Sequence, residues 1–100
     1  MLWQFKRLLY ATDLEKPRIV ILKEVAELYK LGLKEVILLN VAKSSESEEI
    51  FRAHNINVRL VLEKGRFLPL ILNTAEKENV SLIIADLEKR AKELVRQFLC

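Results

Sequence analysis

Apolar residues in this chain gather into four short runs, and between the runs they recur every three or four positions. Short runs bounded by turn residues predict strands, and the wider recurrence predicts helices. The first run covers residues 5–11 and gives way to Thr12-Asp13-Leu14-Glu15-Lys16-Pro17, a turn cluster leading into a helix with Pro17 in its first turn. On that helix Leu22, Val25, Ala26 and Tyr29 share one face with Ile19 beside them, while Lys23, Glu24, Glu27 and Lys30 point elsewhere. Gly32 closes it as a C-terminal cap. Glu35-Val36-Ile37-Leu38-Leu39-Asn40-Val41 is apolar enough for a strand buried on both faces, so the chain opens as a βαβ unit.

The second half repeats the alternation. Ser44, Ser45 and Ser47, followed by glutamates, resemble a helix N-cap, and a short helix through Ile50, Phe51 and Ala53 ends near His54-Asn55. Residues 56–62 begin with the alternation of a half-covered edge strand. After Gly65 a helix is predicted over residues 68–78, with Pro69 tolerated in its first turn. Ser81-Leu82-Ile83-Ile84-Ala85 forms the fourth strand, and a last helix over residues 87–99 turns Leu87, Ala91, Leu94, Val95 and Phe98 inward. Strict alternation of strands and helices predicts an α/β fold with a parallel sheet. At 100 residues the chain is expected to form a single domain over residues 1–100.

Composition narrows the partners. The net charge is +3, and Lys and Arg are mixed with Glu along most of the chain, so no nucleic-acid partner is expected. Every apolar run is broken by a charge before it could cross a bilayer, so no membrane association is expected either. The first residues lack the layout of a secretory signal, and the lone Cys100 has neither a disulfide partner nor metal-ligand spacing. Both point to the cytoplasm. Abundant Lys and Glu with few loop residues point to a thermophile source.

In this order and spacing, Phe5-Lys6-Arg7-Leu8-Leu9-Tyr10-Ala11-Thr12-Asp13, the strand 35–41, and the stretch from Gly65 through Ile84 resemble the universal stress protein family over nearly the whole chain. The resemblance implies a doubly wound parallel sheet with four strands in order 3-2-1-4; the fifth strand of the family pattern would lie beyond Cys100. It also implies a stress-response role and homodimerisation. In ATP-binding members the adenosine half of the pocket lies after strand one and at the end of strand two, which places a half-site for ATP or AMP at Ala11, Thr12, Asp13 and Val41. The family's Gly-x-x-Gly phosphate loop has no counterpart here. Asp86 stands where its first glycine would fall, and the only glycines are Gly32 and Gly65. The resemblance therefore implies a non-catalytic regulatory or interaction module rather than an enzyme; the alternatives are an adenine-nucleotide-binding domain using the adenosine half-site and, less favoured, a nucleotide-hydrolysing enzyme.

Single residues have two readings each. Asp13 either hydrogen-bonds an adenosine or supports an Asx turn or the cap of the next helix. Asp86 either faces Asp13 across a magnesium ion or caps the last helix, and the cap is the favoured reading. His54 reads as a solvated surface residue and Cys100 as a terminal free thiol. Val20, Ile21, Leu28 and Leu31 give the first helix more apolar surface than one buried side requires, which either widens the core or marks an interface.

Overall fold

The computed structural model describes residues 6–13, 16–41 and 44–87. They form strand β1 (Arg7–Thr12), helix α1 (Ile19–Ala26) continued by a 3-10 segment (Glu27–Leu31), β2 (Glu35–Leu39), α2 (Ser45–Arg52), β3 (Asn57–Val61), α3 (Phe67–Lys77) and β4 (Leu82–Asp86). The strands make one parallel sheet in the order β3-β2-β1-β4. This is the expected α/β architecture and strand order. The helix expected over residues 87–99 and the thiol of Cys100 lie outside the described residues.

Alternation along the strands explains the two-sided core. Leu8 and Tyr10 of β1 with Val36 and Leu38 of β2 face one side, where they are buried with Leu22, Val25 and Ala26 of α1 and Phe51 of α2. Leu9, Ala11, Ile37 and Leu39 face the other, under Ile71 of α3. Connections between parallel strands are right-handed, so the two steps β1 to β2 and β2 to β3 put α1 and α2 on one face, and the return over the sheet to β4 puts α3 on the other.

Local chemistry sets the ends of the elements and moves several of them from their expected places. Pro17 precedes the N-cap of α1 rather than sitting in its first turn; the N-cap is Arg18, with extended backbone and no side-chain cap. From Glu27 the helix tightens to three residues per turn, which rotates Tyr29 out of the core stripe that the regular helical period assigns it. Tyr29 is exposed and stacks on His54, ring centroids 4.4 Å apart, while Leu28 packs against the core instead. His54 is thus half-buried under an aromatic ring rather than simply solvated. Gly32 ends the segment at φ 98°, a left-handed conformation that favours glycine. β2 stops at Leu39, two residues early, because Asn40 turns left-handed at φ 55°. The α2 cap is as expected: the Ser44 hydroxyl accepts the amide of Ser47 at 3.4 Å. Of the surplus apolar residues on the first helix, Ile21 and Leu28 widen the core and Val20 and Leu31 face solvent.

Candidate functional site at the β1 and β4 carboxyl ends

Between β1 and β4 the strand order reverses, and in open parallel sheets the crevice at the carboxyl ends of two such strands is where ligands bind. The register sets Thr12 opposite Asp86. With side chains alternating in direction, Tyr10, Thr12 and Asp86 therefore share the α1 face of the sheet, and α1 begins above them at Arg18.

These four residues form a connected polar cluster. The Tyr10 hydroxyl donates to Asp86 Oδ2 at 2.9 Å, and the Thr12 hydroxyl donates to the Asp86 backbone carbonyl at 2.8 Å. Arg18 Nε lies 3.6 Å from Asp86 Oδ1, so the two carboxylate oxygens have different partners, a phenol and a guanidinium. Burial, the hydrogen bond to Asp86 and the nearby negative charge push the Tyr10 phenol far above its ordinary range. The Thr12 side chain and the Arg18 backbone oppose them without prevailing. Tyr10 is fully buried and stays protonated, which makes it a fixed hydrogen-bond donor and a poor general base. The Asp86 side chain is only 11% exposed, and both of its oxygens have partners, as covering a carboxylate requires.

Of the expected half-site residues, Ala11 is buried under α3, and Val41 is buried on the other face of the sheet with α1 and α2. Thr12 is buried with its hydroxyl committed to Asp86. Asp13 lies just past β1 and is half-buried. Asp86 does sit beside the end of β1, as expected of a neighbour of strand one, but the cation its carboxylate meets is Arg18. Among the described residues no three His, Cys, Asp or Glu side chains converge as metal ligands. The capping role expected of Asp86 concerns a helix outside the described residues.

The sequence pattern presents Tyr10 only as one residue of an apolar run and does not single out Arg18. The available signal was the alternation that puts Tyr10 and Thr12 on one face, together with a cation directly after Pro17.

At the same end of the sheet, Asn40 and Glu63 bind each other twice. Asn40 Nδ2 donates to the Glu63 carbonyl at 3.0 Å and the Glu63 amide donates to Asn40 Oδ1 at 2.9 Å, tying the loop after β2 to the loop after β3. At the amino ends of the strands, Arg7, Glu35, Arg59 and the Glu78 carboxylate at the end of α3 form a chain of ion pairs.

No helix among the described residues is long and apolar enough to cross a membrane. Compared with protein-family models, curated proteins and solved structures, the chain has no match.

Proposed function

We propose that this chain is a non-catalytic, universal-stress-protein-like module that works by association, first of all with a second copy of itself. The observation that carries the reading is the position of β4. It pairs with β1 on one side only, and among the described residues no strand adjoins its other edge. Unpaired amides and carbonyls along an edge strand favour pairing with another chain. Ile83 projects from this strand 38% exposed, beside a shallow recess of about 440 Å³ lined by Ala75, Val80 and Leu82 among others. An apolar side chain next to an open strand edge suits a homodimer contact. The internal commitments of Asp86 and Tyr10 support the non-catalytic part of the reading, because neither group is placed to exchange protons with a substrate.

Sedimentation equilibrium tests the association. A concentration-dependent dimer, weakened by Ile83→Lys in a variant with unchanged circular dichroism, is the expected result. A monomer at all concentrations would sink the reading. Calorimetric titration with ATP and AMP, with and without magnesium, is expected to give no saturable heat. Saturable binding abolished by Asp13→Ala would instead favour an adenosine half-site at Thr12 and Asp13.

A further inference from the structure

We propose that Asp86 is a built-in counter-anion: it occupies the position against Arg18 that the phosphoryl group of a ligand would take, and so closes the crevice between β1 and β4 to phosphate-bearing molecules. The inference rests on the non-catalytic reading of this crevice and names what keeps ligands out of it. It is independent of whether the chain dimerises.

The argument starts from the groups that surround the carboxylate. A guanidinium and a buried phenol converge on it, both of them groups that recognise anions, and the guanidinium belongs to the residue at which α1 begins. Arg18 contributes its charge 3.6 Å from Oδ1, and Tyr10 contributes a hydrogen bond of 2.9 Å to Oδ2. Arg18 is also the N-cap of α1, so the cluster meets the start of that helix. That end of α1 has no acidic residue in its first turn and no side-chain cap, which leaves its partial positive charge to be balanced from outside the helix. Asp86 reaches the same residue from the neighbouring strand.

Charge then decides what the crevice admits. A largely covered carboxylate already satisfies the local positive potential. A second anion brought beside it would meet direct Coulombic repulsion that solvent only partly screens. Neutralising residue 86 removes that repulsion and leaves the guanidinium, the phenol and the helix start in place.

The test is calorimetric titration of the full chain with inorganic pyrophosphate at constant ionic strength, comparing the native protein with Asp86→Ala, Asp86→Asn and the double variant Asp86→Ala/Arg18→Gln. The native protein should give no saturable heat. Either single variant should give saturable binding at least about tenfold tighter than the weakest affinity the titration detects, and the added Arg18→Gln should abolish it. Asp86→Asn keeps the volume and an acceptor for Tyr10, so it carries the test if the alanine variant does not fold. Three results would overturn the proposal: saturable binding by the native chain, folded Asp86 variants that bind no better than it, or a gain that survives loss of Arg18. Because dimerisation is read separately by sedimentation, failure here and failure of the association reading are distinguishable.

Discussion

The Tyr10 hydroxyl donates to the Asp86 carboxylate across 76 positions of sequence, joining the central strand β1 to the carboxyl end of β4. Tyr10→Phe keeps the ring that fills the core under α1 and deletes only this bond. Hydrogen bonds to charged groups contribute about 1.5–3 kcal/mol, and the loss here should fall towards the lower end because Arg18 still pairs with the carboxylate. Urea denaturation should show a lower midpoint with an unchanged slope. A variant as stable as the native protein would mean that the bond contributes nothing net.

The same pair makes stability sensitive to alkali. Burial, followed by the bond to Asp86, raises the phenol above its ordinary value of 10.0, so the folded chain holds this proton more tightly than the unfolded chain. The resulting stabilisation is complete below pH 10 and is lost as pH rises towards the higher value of the folded state, since the unfolded chain releases its proton first. Native stability should therefore fall more steeply above pH 10 than that of Tyr10→Phe, and the difference between the two curves should shrink. Parallel curves in urea titrations across this range would remove Tyr10 as the cause.

The sheet was largely legible from the sequence because its determinants are local. Val36, Ile37, Leu38 and Leu39 are buried on alternating faces, and a continuous apolar run is what such a strand requires. Ser44 and Gly32 mark helix ends through bonds and dihedrals within a few residues of themselves. The cluster at the crevice was not legible in this way. Tyr10 meets Asp86 only because β4 crosses back to pair with β1 in a register that sets Thr12 against Asp86, and a one-residue slip would turn Asp86 to the other face. Tyr29 was misplaced for a different reason: the regular helical period does not announce where a helix tightens to 3-10 geometry.

Asn40 does two jobs at the end of β2, and two substitutions separate them. Its left-handed backbone at φ 55° suits Asn or Gly, and its amide makes both bonds to Glu63. Asn40→Gly retains the conformation and loses the bonds, costing about 1 kcal/mol because the site is exposed and water replaces part of the loss. Asn40→Ala also strains the backbone, adding about 1–2 kcal/mol. The expected order of stability in thermal unfolding is native, then Gly, then Ala. Equal effects of Gly and Ala would mean that the turn relaxes out of the left-handed region.

At the opposite end of the sheet, Arg59 spans two acids, pairing closely with Glu78 and lying 3.7 Å from Glu35 Oε1, which also has Arg7 Nε at 3.5 Å. Arg7 donates to the Glu78 backbone carbonyl at 3.1 Å, so a cation also meets the negative end of α3. Glu35 Oε1 is buried without a directed hydrogen bond, so the two guanidinium charges are what compensate it. The Arg59 side chain is 45% exposed, and solvent screening limits the pairs to about 0.5–1 kcal/mol in total. Arg59→Met retains the apolar stem and removes the charge, so its cost should be of that size at low salt. It should shrink at about 1 M salt, where the screening length falls to about 3 Å. A double-mutant cycle with Glu78→Gln should show that most of the loss is coupling between the two side chains. A cost independent of salt and without coupling would assign the effect to packing of the arginine stem over β3 instead.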